Sequence, residues 1–303
     1  MKLAAVDIGS NAIRLQITKV YDHDNMISFK KLQFLRFPLR LGYDVFQNNR
    51  ISKQTADRFE KLMKTFKLLI DLYEVESYKA VATSAMREAE NGRELCDRVR
   101  DLVGLKIDIV AGEVEASILN KSILPYLNSN QYVHIDVGGG STELNVFRKK
   151  RLVSSESFKI GSVRSLTDAA RKKVFKKMKL WLQEANLNTN EAITGIGTGG
   201  NINKLYKLAM KAQGNTISLS ELRALRAYAA AFSYEERISI LKMNPDRADV
   251  IVPASEIYIS VLETVGSDQI MVPKVGLKDG LVYELYEALS KKDMSQIEFL
   301  EEL

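Results

Sequence analysis

The sequence predicts an α/β protein built of two domains. One strand-to-glycine-turn pattern occurs twice, as "AAVDIGSNAIRL" (residues 4–15) and as "HIDVGGGSTEL" (residues 134–144). After each copy, strand-like and helix-like segments alternate, which is typical of an α/β architecture. The length of 303 residues suits one large or two ordinary domains.

A polar stretch that contains a proline, "LPYLNSNQ" (124–131), marks the predicted domain boundary. We therefore predict an N-terminal domain over residues 1–124 and a C-terminal domain over residues 125–303. The final helical segment, "GLKDGLVYELYEAL", is an exception that can pack back on the first domain.

Apolar runs and apolar alternation predict the elements of the first half. A helix begins near Ser52, because serine is a favoured N-cap and the apolar residues after it recur at three- and four-residue spacing. The predicted strands are 2–8, 11–20, 27–36, 78–83 and 106–110, and further helices cover 87–103 and the segment that opens with "GEVEAS".

The second half repeats this opening. A strand at 132–137 leads into the glycine turn, a strand at 143–148 follows, and "RLVSSESFK" returns as a third strand. Later strands are predicted at 192–197 and 268–273, and helices include 171–185. The shared order of elements indicates an internal duplication.

Composition narrows the function classes. The net charge of +6 suits a polyanionic ligand, although many soluble proteins without one are equally basic. The single cysteine, Cys96, excludes a disulfide within the chain, and two histidines exclude a histidine-rich metal centre. Neither a signal peptide nor a membrane-spanning apolar run is present, so we expect a cytoplasmic protein with no membrane partner.

The two glycine turns are candidate phosphate sites. Backbone N–H groups at a tight turn bind phosphate well, and glycine permits the close approach. An ordinary hairpin turn is the alternative for either stretch taken alone. The candidate phosphate-binding residues are Gly9, Ser10 and Asn11 in the first turn and Gly138, Gly139, Gly140, Ser141 and Thr142 in the second.

Carboxylates beside these turns predict a divalent cation. A carboxylate next to bound phosphate is repulsive unless a cation lies between them, and Mg²⁺ is commonly held by one or two carboxylates plus phosphate. Asp7, Asp136 and Glu143 are the candidate ligands of Mg²⁺ or Mn²⁺, directly or through water. The alternative is turn-capping by Asp136 and an outward-facing Glu143.

Two further residues suit phosphoryl transfer. Glu115, in "AGEVEAS", is followed by small residues and can face a cleft as a general base that deprotonates water. Its neighbour Glu113 is explained by the helix dipole alone. Arg87, in "ATSAMREA", can bind a phosphate with two donors or can serve as a surface ion-pair partner.

The stretch "GIGTGG" (195–200) matches a dinucleotide-binding fingerprint literally. Such a fold requires a strand with an acidic end about 20 residues later, whereas helix follows helix here. We therefore reject that interpretation and keep Gly197, Thr198 and Gly199 as candidates for contact with a nucleotide or a phosphate chain.

A basic run, "RKKVFKKMK" (171–179), is the remaining charge feature. Its apolar residues define one helix face, which favours a plain amphipathic helix over a track for a polyphosphate tail. Lys159 and Arg164, which flank "IGSV", are better placed for contact with such a tail.

Taken together, these motifs resemble the exopolyphosphatase / guanosine pentaphosphate phosphatase (Ppx/GppA) family of the actin-like, sugar-kinase and chaperone ATPase superfamily. Beyond the two glycine turns, the resemblance rests on "AVATSAMREAENG", "GEVEAS", "KIGSVR", "TGIGTGGNINKL", "RADVIVPA" and "GLKDGL". It implies two ribonuclease-H-like domains with an interdomain cleft, and hydrolysis of a terminal phosphate with Mg²⁺ or a similar cation. Dimers are common in the family, so the resemblance is also compatible with a homodimer.

The resemblance also implies residue roles. Glu115 matches the catalytic base, Glu143 a site carboxylate, and Arg87 the arginine near the substrate phosphates. Asp7 and Asp136 match the aspartates of the two phosphate loops. The loop with Gly197, Thr198 and Gly199 corresponds to one that faces adenosine in nucleotide-binding relatives.

Three departures from the family pattern stand out. Ala12 replaces a usual Ser or Thr, Lys278 replaces the arginine of "GLRDG", and the chain lacks the helical HD-type extension of longer members. The resemblance is therefore to a short, two-domain form, in which processivity on long chains is in doubt.

We expect an exopolyphosphatase that hydrolyses the terminal phosphate of inorganic polyphosphate. A pppGpp 5′-phosphohydrolase of the same family is the nearest alternative. An ATP-binding, kinase-like module and a non-catalytic polyphosphate or nucleotide sensor are more remote. No specific nucleic-acid partner is expected.

Overall fold

The computed structural model describes residues 1–23, 26–185, 187, 191–209, 214–292 and 298–299. These residues form two compact units. Unit 1 consists of Met1–Pro125 together with the segment that begins at Gly276, and unit 2 is Tyr126–Val275. No helix of the described ranges is both long enough and apolar enough to cross a membrane.

Twelve strands and twelve α-helices make up the described residues. The strands are β1 (Lys2–Ile8), β2 (Ile13–His23), β3 (Met26–Phe37), β4 (Ser77–Ala82), β5 (Asp108–Ile109), β6 (Gln131–Val137), β7 (Thr142–Arg148), β8 (Arg151–Phe158), β9 (Ile193–Thr198), β10 (Thr216–Ser218), β11 (Gln269–Met271) and β12 (Glu298–Phe299). The helices are α1 (Leu41–Asn48), α2 (Lys53–Leu72), α3 (Ser84–Glu88), α4 (Gly92–Val103), α5 (Gly112–Ile123), α6 (Asp168–Glu184), α7 (Gly200–Leu208), α8 (Leu219–Ala230), α9 (Tyr234–Ser239), α10 (Pro245–Ala248), α11 (Ile251–Val265) and α12 (Leu277–Ser290).

The two sheets share one topology. In unit 1 the order is β12-β3-β2-β1-β4-β5, and in unit 2 it is β8-β7-β6-β9-β11-β10. In each unit the first three strands of the repeat are antiparallel neighbours, and the first strand pairs in parallel with a later one, β1 with β4 and β6 with β9. The predicted α/β class and the internal duplication are confirmed at this level.

Both faces of the unit 1 sheet are buried. Along β1, Val6 and its alternate neighbours pack with α2 and α4, whereas Leu3 and Ala5 pack with α5 and α12. Contact between α12 and α5 is close, because a Cβ on Gly280 would lie 2.0 Å from the carbonyl oxygen of Ile118. The final helix therefore packs within unit 1, whereas the predicted second domain ran from residue 125 to 303 with that helix as a stated exception.

One face of the unit 2 sheet carries an apolar core. Val133, Ile135 and Val137 of β6 pack in a single apolar cluster with residues of α6 and α11. The alternate residues of β6 lie on the opposite face and include His134 and Asp136. The candidate side chains of β6 therefore lie away from the main core.

The predicted helix over 87–103 is wrong in one respect: it is two helices, α3 and α4. A Cβ on Gly92 would lie 2.1 Å from the carbonyl oxygen of Met86, so the chain turns sharply between them. Asn91 fixes this turn, because its side chain exchanges two hydrogen bonds of 3.0 Å with the backbone of Ile51. Ser52 caps α2 as predicted by accepting a hydrogen bond from the Thr55 amide at 3.3 Å.

The environment of Cys96 gives a prediction about reactivity. The thiol is buried on α4, and burial, followed by the nearby Asp97 and Asp108, raises its pKa to about 12. Because the thiolate is the reactive form, we expect Ellman's reagent at pH 8 to label the folded protein about 10³-fold more slowly than protein in guanidinium chloride. Labelling at the unfolded rate would show that the α4 packing is wrong.

Candidate active site

Three parallel strands of unit 1 end at the same edge of its sheet. The register pairs Ile8 with Ala82 and Ala82 with Ile109, so the loops after β1, β4 and β5 are neighbours. Ligand sites of open α/β sheets occur at this carboxyl edge. The three loops carry the first glycine turn, Arg87 and Glu115, which are therefore brought together.

The first glycine turn is closed by a hydrogen bond from the Gly9 amide to the Ala12 carbonyl at 3.2 Å. Its carbonyls point to the segment after β3: Ser10 accepts from the Gly42 amide at 2.8 Å, and Asn11 accepts from the Arg40 amide at 3.1 Å. The described peptide bonds are all trans, so an N–H points opposite to the carbonyl of its own peptide. The amides of Asn11 and Ala12 therefore face away from that segment, as an anion site requires.

Side chains fix the same turn. The Ser10 hydroxyl is 3% exposed and lies 2.8 Å from that of Ser84, which ties the turn to α3. Asp7 is paired with its cross-strand neighbour Arg14 at 2.6 Å. This ion pair places positive charge beside the turn and one carboxylate oxygen of Asp7 on the guanidinium.

Arg87 and Glu115 form a partly buried pair. The Arg87 Nη1 atom lies 3.6 Å from Glu115 Oε2, and it donates a hydrogen bond of 2.6 Å to the Val110 carbonyl. The Glu115 side chain is 13% exposed and belongs to the first turn of α5. A guanidinium at this distance stabilises the negative charge that a general base must carry. Glu113 of the same turn is exposed.

The second glycine turn has the same construction. The Gly138 amide closes it on the Ser141 carbonyl at 3.0 Å. Three consecutive carbonyls point to residues 160–164: Gly138 accepts from the Ser162 amide at 3.0 Å, and Gly139 accepts from the Arg164 amide at 3.0 Å. Gly140 accepts from the Arg164 Nε atom at 2.6 Å.

The direction of these carbonyls fixes the direction of the amides. Since the peptides are trans, the N–H groups of Gly139, Gly140 and Ser141 point away from residues 160–164. Three successive amides on one side of a turn make a concave anion site. Gly161 is the close-packed residue of the backing segment, because its Cβ would lie 2.4 Å from the Gly139 carbonyl oxygen.

The hydroxyls of the second turn are engaged within unit 2. Thr142 is fully buried and donates to the Ile160 carbonyl at 2.7 Å, and Ser141 donates to Glu143 Oε1 at 2.6 Å. Glu143 is 2% exposed and also accepts from Ser157 at 3.1 Å. Contact between these three side chains and phosphate or metal stays a prediction.

Asp136 lies at the carboxyl end of β6, opposite Glu143 on β7 and opposite Thr198 on β9. Its Oδ1 atom accepts a hydrogen bond from the Thr198 hydroxyl at 2.6 Å. The next residue, Gly199, has φ +92°, and a Cβ there would lie 3.1 Å from this oxygen. Glycine therefore keeps the approach to Asp136 open.

Tyr258 of α11 fixes the strand end behind Asp136. Its hydroxyl donates to the Thr198 carbonyl at 2.8 Å, and burial raises its pKa well above the usual range. The phenol is therefore a neutral hydrogen-bond donor. Gly197, on β9, is held by close contact of its Cβ position with Ile202 and Ile270 at 2.8 Å, which is a packing role.

The cations of unit 2 differ in their surroundings. Lys159 is exposed, whereas Arg164 is half-buried and bound to the glycine turn. On α6, Arg171 pairs with Glu256 at 2.5 Å and Lys177 with Glu156 at 2.8 Å. Met178 and Leu182 are the buried residues of α6, so the amphipathic-helix interpretation of 171–179 is consistent with the packing.

Lys278, the departure in "GLKDGL", lies at the start of α12. Its ammonium contacts Asp279 and lies 5.7 Å from the ring centroid of Phe34. Asp279 in turn accepts from Gln16 at 3.0 Å. The lysine thus takes part in unit 1 packing at this point.

The donor chemistry of the strand-end aspartates fits Mg²⁺. Asp7 and Asp136 offer carboxylate oxygens, the ligand type that Mg²⁺ prefers, and each lies beside a glycine turn. Within the described ranges, no group of three or more His, Cys, Asp or Glu side chains is arranged to hold a metal ion. The ion and its ligands stay a prediction.

Sequence reasoning missed three features of this site. It did not find the backing segments, 40–42 in unit 1 and 160–164 in unit 2, nor the buried contacts of His134. The equivalent position of both segments, directly after the third strand of each repeat, was the one available signal for the first two.

Two mixed sheets, each with a glycine turn at the carboxyl edge, define a two-domain protein of the actin-like superfamily. Comparison with known proteins then identifies the family. Residues 19–289 match the model of the Ppx/GppA phosphatase family, and the chain belongs to that family.

Among solved structures, a Ppx/GppA enzyme of Aquifex aeolicus is similar with a TM-score of 0.75 and 26% identity, over 94% of this chain and 99% of that one. Among curated proteins, a bifunctional 3-dehydroquinate synthase/phosphatase of Fusobacterium nucleatum is 28% identical over 95% of this chain and 47% of its own length. A guanosine-5′-triphosphate,3′-diphosphate pyrophosphatase of Photobacterium profundum is 25% identical over 97% of this chain and 61% of its own length. This chain thus spans about half to three fifths of the curated relatives that it matches.

Proposed function

We propose that the protein is a phosphatase that removes the terminal phosphate of inorganic polyphosphate. The observation that carries the proposal is the pairing of Glu115 with Arg87 at 3.6 Å, on the same sheet edge as the first glycine turn. A general base, a phosphate-binding cation and backbone amides are the parts that attack of water on a phosphoryl group requires.

Each part has a role in the proposed reaction. The amides of the two glycine turns bind phosphate oxygens, and Arg87 binds a further oxygen. Glu115 accepts a proton from water as the water oxygen attacks the terminal phosphorus. The bond from that phosphorus to the bridging oxygen breaks, and the shortened chain leaves with the bond's electron pair.

Mg²⁺ or Mn²⁺ belongs to the proposal through Asp7, Asp136 and Glu143, directly or through water. When bound, such an ion neutralises charge on the phosphate oxygens. The protein's own residues orient the phosphate and the water, which is where most of the acceleration of phosphoryl transfer arises.

The substrate is the least constrained part. Exposed cations such as Lys159 and those of 171–179 favour a long polyanion, and we take polyphosphate as the first candidate. The similarity to proteins named for pppGpp favours that nucleotide as the second candidate. Its base contact would be the loop at Gly197, Thr198 and Gly199. A homodimer and a cytoplasmic location remain expectations.

Phosphate release from polyphosphates of defined length, pppGpp and ATP, each with and without Mg²⁺, tests the proposal. We expect the highest kcat/KM for polyphosphate and dependence on the cation. A higher value for pppGpp would select the second candidate. Release from ATP alone, or from none of the three, would contradict a phosphatase of this type.

A further inference from the structure

A chain of hydrogen bonds runs across the unit 2 sheet and ends at Asp136. Ser155 Oγ lies 2.7 Å from Asn145 Oδ1, and Asn145 Nδ2 lies 3.1 Å from His134 Nδ1. His134 Nε2 lies 2.9 Å from Thr198 Oγ1, which lies 2.6 Å from Asp136 Oδ1. The first three residues are direct neighbours on β8, β7 and β6, and Thr198 is opposite Asp136 on β9.

The ionised carboxylate of Asp136 sets the direction of every bond in this chain. A carboxylate only accepts, and Thr198 has one hydroxyl proton, so that proton points to Asp136. Thr198 must then accept from His134 Nε2, which carries the ring proton. Nδ1 is left as an acceptor, so the Asn145 amide group donates to it and the Asn145 oxygen accepts from Ser155.

The centre of the chain is dry. His134 and Asn145 are fully buried and Thr198 is 1% exposed. Burial lowers the pKa of His134 to about 3, so the imidazole is neutral and has a single ring proton to donate. Hydrogen bonds in such surroundings are stronger than in water and reinforce one another along a chain.

We propose that His134 is a positioning residue that acts through Thr198 to orient the carboxylate of Asp136. The inference rests on the proposed function, which gives Asp136 its place beside the reacting phosphate and its cation. Partners of this outer kind orient the groups that bind metal and substrate. A network that only fills polar valences in the sheet would leave turnover unchanged as long as the fold survived.

Kinetics of variants separate these two roles. Thr198→Val removes the hydroxyl at nearly constant volume, and we expect kcat to fall about 10- to 100-fold with a small change in KM. Thr198→Ser keeps the hydroxyl and should recover most of the loss. A rise in KM without loss of kcat in Thr198→Val would show that Thr198 contacts substrate instead and would overturn the proposal.

The link through Thr198 is tested by a double-mutant cycle. We expect His134→Phe alone to lower kcat about tenfold. In the Thr198→Val background the same change should cost less than about twofold, because its route to Asp136 is already broken. Equal losses in both backgrounds would overturn the proposal. Thermal melting confirms that each variant is folded.

A spectroscopic measurement needs neither variants nor substrate. The chain has two histidines, so nitrogen-15 NMR of the wild type resolves His134 from His23. We expect the neutral tautomer with the proton on Nε2. The Nδ1 tautomer or an imidazolium at neutral pH would overturn the inference, even if phosphate release upheld the proposed function. The expected tautomer with no phosphate release from any substrate would refute the function alone.

Discussion

Replacing Glu115 with glutamine is expected to lower kcat by about 10²–10⁴-fold, the usual contribution of a general base. Glutamine has the same shape but does not accept the proton of the attacking water. KM should change much less, because Arg87 keeps its hydrogen bond to the Val110 carbonyl. Steady-state phosphate release from the best substrate measures both constants.

Glu113 provides the matched control. It lies in the same first helical turn as Glu115 but is exposed. Glu113→Gln removes the same charge from the same helix end, so it should reproduce any effect on the helix dipole and leave kcat within about twofold. Near wild-type turnover in Glu115→Gln, or an equal loss in both variants, would refute the assignment of the base.

The sheet edge of unit 1 shows why part of the site was predictable. The strand order follows from alternation and turn chemistry, and the carboxyl ends of parallel strands meet at one edge. Glu115 and Arg87 each follow such a strand, after β5 and β4, and they lie 3.6 Å apart. Local pattern was enough here because the connection from strand to helix is short.

The glycine turns show why the rest was not predictable. A glycine-rich sequence permits several turn conformations, and it does not specify which side the amides face. That side is set by residues 160–164, whose hydrogen bonds reach back 24 residues to the turn. The break between α3 and α4 has a similar cause, because Asn91 bonds to Ile51 at a separation of 40 residues.

Gly161→Ala is expected to lower kcat/KM by about 10²-fold or more, the usual cost of displacing a reacting group by about 1 Å. The added Cβ would lie 2.4 Å from the Gly139 carbonyl oxygen and 2.7 Å from the Gly140 nitrogen. Both are backbone atoms of the glycine turn, so the turn itself must move. The three amides that face away from residues 160–164 would then lose their common direction.

Gly276→Ala separates this effect from the general cost of an added methyl group. The Cβ position at Gly276 has open space around it, and its φ of −174° is ordinary extended backbone. This control should keep kcat/KM within about twofold, whereas Gly161→Ala should also lose about 1–3 kcal/mol of stability through overpacking. Thermal melting and phosphate release on the same samples measure the two effects separately. If Gly161→Ala is destabilised but keeps wild-type kcat/KM, residues 160–164 do not set the direction of the phosphate-binding amides.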